Sequence, residues 1–447
     1  MPQAEKRVQV LRVMIRDEPG YLGKLAQVIG ECGANIGDIV KIRTSGDYNV
    51  RELELYLDSE EQLQAILNEV EQLDGVNLAV VYDPVLELHR GGKIHMRSTV
   101  AIERIGDVRK LYTPGVATVC QEIQTHPERV YDYTALGQTV AIITNGTAVL
   151  GLGNIGVHAG LPVMEGKAAL LDRLSGLSGV PILVPTRDIR RFVDTVIGIA
   201  PSFGAIQLED VAAPECFEIE DRLIKELPIP VMHDDQHGTA VVTLAALHNA
   251  TKSTEEPLDQ RVVGILGLGA GGFGIAKLLC ARGVKRLLGT DLKREALRRF
   301  ETIGGHPCDL AGVMAEASIV IGTTGQPGLI AATQVRPGQV ILALSNPYPE
   351  IQPRDALAAG AALAADGRTV NNALGFPGIF RGALAARARR INNAMKLAAA
   401  ETIAQYAEPG ELVPNLLHPD VHHAVAETVE QTARVSGATQ VNPLAEA

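Results

Sequence analysis

Between residues 8 and 83 the apolar positions switch repeatedly from one period to another. VQVLRVMI, ANIGDIVKIRT, VRELELYL and VNLAVVY are rich in β-branched residues or alternate apolar with polar, which predicts strands. GYLGKLAQVIGECG and EEQLQAILNEVEQL place apolar residues at i, i+3 and i+4, which predicts helices. The resulting order, βαββαβ, is that of a ferredoxin-like α+β unit. The polar stretch LELHRGGKIHMRS, with Gly91-Gly92 and few large apolar residues, reads as a linker. Beyond it, strands alternate with helices to the end of the chain, which predicts α/β layers built on parallel sheets.

Two features of this second region shape the expectation. From Tyr133 to Met164 there is no formal charge, but Asn145, Asn154, several glycines and Pro162 break the run, so it cannot be a continuous apolar helix. It reads as a buried strand and a Gly-rich loop, with Pro162 too close to the loop for an uninterrupted helix. Later, TAVVTLAALHNATKSTEEPLDQ predicts a long helix from Gly238 to Lys252 and then a polar loop, which places a domain boundary near that helix.

Two segments fit GxGxxG, at Gly151–Gly156 and at Gly267, Gly269 and Gly272. Only the second sits between a short apolar strand, RVVGIL, and an amphipathic helix, GIAKLLCARGV, with RLLGTD after it ending in Asp291. That is the βαβ setting in which a helix N-terminus faces a pyrophosphate and an acid about 20 residues on meets the ribose hydroxyls. The second loop is therefore the expected dinucleotide site, and the first shapes a substrate or packing turn. Asp291 favours NAD, since a carboxylate pairs with a free 2'-hydroxyl and repels a 2'-phosphate. Lys293 and Arg294 soften that repulsion and keep NADP in view. The turn at Thr323, in IVIGTTGQPGLI, is a candidate to line the nicotinamide side, or else an ordinary βα loop.

Paired acids end two apolar runs: Glu209-Asp210 in IQLEDVAAPE and Asp234-Asp235 in VMHDDQHGTA. Such carboxylates suit a hard divalent cation, which takes oxygen ligands. The net charge of -11 argues against a nucleic-acid partner. The five cysteines are scattered with no CxxC pair, and the N-terminus lacks an apolar leader, as expected of a reduced, cytoplasmic protein away from membranes.

Two family resemblances follow from these residues. DEPGYLGKLAQVIGECGANIGDI is similar to the ACT domain in Asp17, Pro19-Gly20 and Leu25, then Gly33, Asn35 and Ile36. That implies a regulatory unit holding a small metabolite such as an amino acid, or one that only dimerises. An effector would be expected near Asp17–Leu22 with Asn35 and Ile36. From Leu111 to Pro419 the chain resembles bacterial malic enzymes of the small-subunit type. The resemblance lies in LYTPGVA, GLGNIG, PVMEGKAALL, LEDVAAPECFEIE, HDDQHGTA, GLGAGGFGIA, ALSNPYPE and NNALGFPGIFRGAL, in that order.

The second resemblance implies metal-dependent oxidative decarboxylation of L-malate to pyruvate and CO2 with NAD or NADP, and Mn2+ or Mg2+. Residue by residue, it implies Lys167 as the base that takes the hydroxyl proton and Tyr112 as the acid that protonates the enolate. Glu209, Asp210 and Asp235 correspond to metal ligands, and Asp234 to a neighbour that positions or tunes Lys167. Asn346 and Asn372 correspond to amides on the substrate, with Asn371 an alternative one residue away. Larger relatives carry an arginine for the substrate carboxylate just before the first glycine loop; Ala148, Val149 and Leu150 stand there instead. A malolactic enzyme with tightly bound NAD, an amino-acid dehydrogenase and a non-catalytic ACT-linked sensor are the rival readings. The expected domains are ACT-like 1–85, linker 86–105, catalytic 106–238, Rossmann 239–430 and a C-terminal tail 431–447, in a homodimer or higher oligomer.

Overall fold

The computed structural model describes residues 6–252 and 256–439. The chain divides into two compact units, Met1–His95 and Met96–Ala447. The first contains β1 (Arg7–Arg16), α1 (Tyr21–Glu31), β2 (Asn35–Ser45), β3 (Tyr48–Leu57), α2 (Glu60–Glu71), β4 (Val76–Tyr82) and α3 (Pro84–His89). Its sheet has the order β2-β3-β1-β4, antiparallel throughout. Strict alternation aims Leu11, Val13 and Ile15 of β1 and Leu53, Leu55 and Leu57 of β3 at one face, where they meet Leu25 and Ile29 of α1 and Ile66 and Val70 of α2. Each such side chain contributes about 1.5–3 kcal/mol on burial, which is what fixes the register. The Ser59 hydroxyl accepts from Gln62 N at 3.2 Å and starts α2.

Two expectations change here. Ladder pairs Arg16↔Tyr48 and Ser45↔Tyr48 mark one end of this sheet, and Asn35↔Tyr56 marks the other. Asp17–Leu22 and Asn35–Ile36 therefore lie at opposite ends, and one small effector cannot touch both within a single copy. The connector is not wholly irregular either. The Asp83 carboxylate accepts from Val85 N at 2.8 Å and Leu86 N at 3.1 Å, and Pro84 occupies the first turn, so α3 starts just ahead of the expected linker and runs into it as far as His89.

The second unit opens with α4 (Ile105–Leu111), α5 (Val116–Thr125) and α6 (Val130–Tyr133). A parallel sheet ordered β6-β5-β7-β8 follows, built from β5 (Thr139–Thr144), α7 (Val157–Ser175), β6 (Ser178–Leu183), α8 (Ile189–Ile199), β7 (Ala205–Leu208), α9 (Glu215–Glu226) and β8 (Val231–His233). Helix α7 runs straight through Pro162, against expectation. A proline there removes its own bond to the carbonyl four residues back and crowds that carbonyl with its ring. Burial of Met164, Ala168 and Leu171 holds the remaining turns. Helix α10 (Asp234–Thr251) begins earlier than the predicted Gly238, directly at the acidic pair.

The remaining elements are β9 (Val262–Leu266), α11 (Ala270–Arg282), β10 (Arg286–Thr290), α12 (Arg294–Glu301), β11 (His306–Pro307), α13 (Leu310–Glu316), β12 (Ile319–Gly322), β13 (Val340–Ala343), α14 (Pro353–Ala358), β14 (Leu363–Asp366), α15 (Phe376–Ala385), α16 (Asn393–Gln405) and α17 (Val421–Val435). Their sheet is ordered β11-β10-β9-β12-β13-β14, all parallel. This is the doubly wound dinucleotide-binding topology, whose crevice opens between β9 and β12 where the order reverses. One hydrophobic core joins both sheets: Val140 and Ile142 of β5, Val241 and Leu244 of α10, and Val263 and Ile265 of β9 belong to it. The stretch expected as a tail from 431 is helical to Val435 and pairs at Ala388↔Thr439; residues 440–447 of that tail lie outside the described ones. Among the described residues no helix is long and apolar enough to cross a membrane.

Candidate active site

Three carboxylates converge at the ends of β7 and β8. Glu209, Asp210 and Asp235 offer oxygens that all lie within 4.8 Å of one another. Glu209 and Asp210 follow the last residue of β7, and Asp234 and Asp235 open α10, so the parallel sheet delivers both acidic pairs to one edge. Asp210 adopts φ 56, in the left-handed region that costs a non-glycine residue about 1–2 kcal/mol. Its N–H donates to Asp235 Oδ2 at 2.9 Å, and its carbonyl accepts from Ala148 N at 3.0 Å, which together hold that conformation.

Electrostatics mark this trio as a place for positive charge. Burial, with Asp235 and Glu209 close by, pushes the Asp210 carboxyl up to about 9. Burial also raises Glu209, and the pull of Lys167 does not cancel it. Asp210 Oδ2 is buried with no hydrogen-bond partner. Crowded carboxylates with an unused oxygen fit a hard divalent cation.

Lys167 reaches the same place from the middle of α7. Its Nζ donates to Asp234 Oδ2 at 2.5 Å and to Asn372 Oδ1 at 3.4 Å, and stands 3.1 Å from Glu209 Oε1. The ammonium also lies 4.6 Å from the centroid of the Phe376 ring. Burial disfavours its charged form, but Asp234, Glu209 and Asp235 outweigh burial and hold Lys167 above its ordinary range. Burial lifts Asp234 to about 6 despite the lysine beside it. Beneath these groups, Glu220 accepts from His233 N at 2.7 Å and Gln236 Nε2 at 2.9 Å, and lies 3.0 Å from His237 Nε2. It fixes the turn that carries Asp234 and Asp235.

The two asparagines left open by sequence are now separate. Asn371 Oδ1 accepts from Ala373 N at 2.9 Å as a local cap, whereas Asn372 faces Lys167. Asn346 follows β13, and its carbonyl approaches the first glycine loop so closely that a Cβ on Gly151 would lie 2.5 Å from it. That loop thus packs against the Asn346 segment. Tyr112, at the end of α4, is 69% exposed, and its hydroxyl makes no hydrogen bond to Lys167 or to the four acids among the described residues.

The second glycine loop lies in the crevice of the six-stranded sheet. Gly267 has φ 85, and a Cβ on Gly272 would collide with the Gly267 carbonyl, so this tight strand-to-helix turn admits glycine alone at both points. Thr323 Oγ1 donates to Gly267 O at 2.8 Å, and Asp291 Oδ2 accepts from Leu268 N at 2.7 Å. Both residues line a cavity of about 430 Å3 with Gly269, Leu292, Lys293 and Thr324. Phe376 and Glu220 were not foreseen from the sequence. The apolar run of α15 and the CFEIE motif contain them, but nothing in either marks those positions.

The chain matches the models for "Malic enzyme, N-terminal domain" over residues 93–188, "Malic enzyme, NAD binding domain" over 236–304 and 293–439, and "ACT domain" over 6–79. It is 50% identical to NAD-dependent malic enzyme 1 of Bacillus subtilis over 96% of this chain and 98% of that one. The chain belongs to the malic enzyme family. Among other members, it is 40% identical to the NAD-dependent malic enzyme of Geobacillus stearothermophilus, covering 94% of this chain and 92% of that one. A bifunctional malic/malolactic enzyme of B. subtilis is 41% identical over 80% of this chain and 94% of its own length. The crystal structure of malic enzyme from Pyrococcus horikoshii superposes with a TM-score of 0.75 at 38% identity, covering 80% of this chain and 92% of that one.

Proposed function

We propose that this member of the malic enzyme family oxidatively decarboxylates L-malate to pyruvate and CO2, with NAD as the preferred hydride acceptor. The observation that carries this reading is Lys167, held by Asp234 and Glu209 at the edge of the Glu209–Asp210–Asp235 cluster. Lys167 takes the proton from the C2 hydroxyl as hydride passes from C2 to the nicotinamide. Loss of C4 as CO2 then leaves the enolate of pyruvate. Glu209, Asp210 and Asp235 are the residues that would hold Mn2+ or Mg2+. When bound there, a divalent cation supplies a positive field that offsets the carboxylates' pull on Lys167 and polarises the C2 oxygen.

Asp234 keeps Lys167 in place, and Asn372 and Asn346 present amides to the substrate. Tyr112 is assigned the final protonation at C3 on its motif alone. From its exposed position it must be brought to the site by its own segment or by a second copy of the chain. The loop of Gly267, Gly269 and Gly272, braced by Thr323, holds the pyrophosphate at the start of α11, with Asp291 on the ribose. Incubation with L-malate, Mn2+ and either dinucleotide is expected to yield pyruvate and free reduced cofactor, faster with NAD than NADP. Lactate with no net NADH would establish a malolactic reaction instead, the second activity named for the bifunctional relative.

The N-terminal unit contributes none of these groups. Its edge strand β2 exposes Ile39, Val40 and Ile42, a surface suited to a second copy of the chain. We assign it an effector role, in which a small metabolite shifts activity by binding one state of the assembly better than another. Deleting residues 1–90 is expected to retain malate turnover and abolish the rate response to amino acids screened on the full chain. Full loss of turnover, or an unchanged response, would contradict that assignment.

A further inference from the structure

Reading the substrate as malate leaves one chemical need unmet. A four-carbon dicarboxylate calls for a cationic partner, and Ala148, Val149 and Leu150 ahead of the first glycine loop supply none. A guanidinium does stand at this edge of the sheet, on the connection between β6 and α8. Arg187 lines a cavity of about 290 Å3 together with Asn145, Thr147, Asn154, Ala212, Lys293 and one carboxylate, Glu215.

Hydrogen bonds tie that cavity to the carboxylate cluster step by step. Asn145 Nδ2 donates to Thr186 O at 3.3 Å, and Thr147 Oγ1 donates to Asn145 Oδ1 at 2.6 Å. Ala212 N donates to Thr147 Oγ1 at 2.9 Å, two residues beyond Asp210. Ala148 N in turn donates to the Asp210 carbonyl at 3.0 Å. The Arg187 guanidinium meets the side-chain oxygen of Asn154, on the first glycine loop, when the Asn154 amide nitrogen faces Gly146 O at 3.3 Å. Among the described residues no carboxylate forms an ion pair with Arg187. An exposed guanidinium with a neutral amide as its neighbour keeps donors for a ligand carboxylate, which its planar fork suits.

We propose that Arg187 binds one carboxylate of the dicarboxylate substrate, with Asn154 orienting its guanidinium, in the place that Ala148 leaves open. The rival occupant is a phosphate of the dinucleotide, because Ala213, Pro214 and Lys293 line both this cavity and the one at Gly267. Two observations favour the substrate. The glycine loop already offers the pyrophosphate a helix N-terminus, and the cavity there contains Asp291 but not Arg187.

The inference rests on malate being the substrate, and the experiment separates the two. In a wild-type enzyme that turns over malate, Arg187→Gln is expected to raise KM for L-malate at least tenfold while leaving KM for NAD within about twofold. Arg187→Lys, which keeps the charge and loses the fork, should fall between. Inhibition supplies a readout that a purely structural role would not move. Succinate should inhibit the wild type better than butyrate, and Arg187→Gln should bring the two inhibition constants together. If the glutamine variant fails to fold, the lysine variant carries the same comparison. An unchanged KM for malate, or a rise confined to NAD, overturns the assignment of Arg187. Failure of the wild type to use malate overturns the substrate reading itself.

Discussion

Lys167→Ala should lower NADH formation from L-malate by roughly 10²–10⁴-fold, the usual worth of a positioned proton acceptor. Decarboxylation of added oxaloacetate should survive in part. The two steps separate because only the oxidation removes a hydroxyl proton; loss of CO2 from the keto acid depends on the pull exerted on its C2 carbonyl. The Lys167 partners Asp234 and Glu209 belong to the β8–α10 junction and to the turn just after β7, segments held by Glu220 and by the ladder of the parallel sheet. Spectrophotometric rates on the two substrates, with the melting temperature as a check on folding, decide the matter. Malate oxidation near the wild-type rate would remove Lys167 from the role of base.

Asp235→Ala and Glu209→Ala should each abolish measurable Mn2+ binding and with it oxaloacetate decarboxylation, while NAD binding stays within a few-fold of the wild type. The separation follows from the layout. Two of the three carboxylates sit in the turn between β7 and α9 and the third in the first turn of α10, whereas the dinucleotide crevice lies between β9 and β12 of the other sheet. Deleting one of the three clustered carboxylates removes a third of the anionic oxygen donors that the site offers a hard cation, and with it much of the charge that holds the cation there. Calorimetric titration of Mn2+ and fluorescence titration of NADH on the same samples test both halves. Unaltered Mn2+ affinity would dissolve the proposed metal site.

The sequence was most legible where one face of an element is buried and the other is wet. Leu11, Val13 and Ile15 alternate along β1, and α1 repeats at helical spacing, so the order of the N-terminal unit could be read directly. The dinucleotide loop was legible for another reason: Gly267 and Gly272 answer to backbone geometry, which local sequence records. Reading failed where tertiary packing overrides local preference. Pro162 suggested an interrupted helix, yet α7 continues because Met164, Ala168 and Leu171 are buried. The start of α10 at Asp234 rather than Gly238 has no local signal, because an acidic pair also suits a turn and only Glu220, from α9, holds it in the helix. Contacts between distant segments left no local trace. Neither Asn372 rather than Asn371 facing Lys167, nor Phe376 against the ammonium, nor Arg187 beside the Asp210 loop could be read from spacing. The proposed effector region shows the same limit: Asp17 and Asn35 flank α1 in sequence, but the helix returns the chain to the far end of the sheet.

All of these readings meet in one claim, that a divalent cation at Glu209, Asp210 and Asp235 works beside Lys167 on malate. Its most direct test is the wild-type enzyme stripped of metal with a chelator and titrated with Mn2+ in the presence of L-malate and NAD, following NADH and pyruvate together. The expected result is no turnover without metal, a rate that saturates as one cation binds per chain, and pyruvate formed in step with NADH. Turnover that persists without any divalent cation, or no NADH at saturating Mn2+, would contradict it.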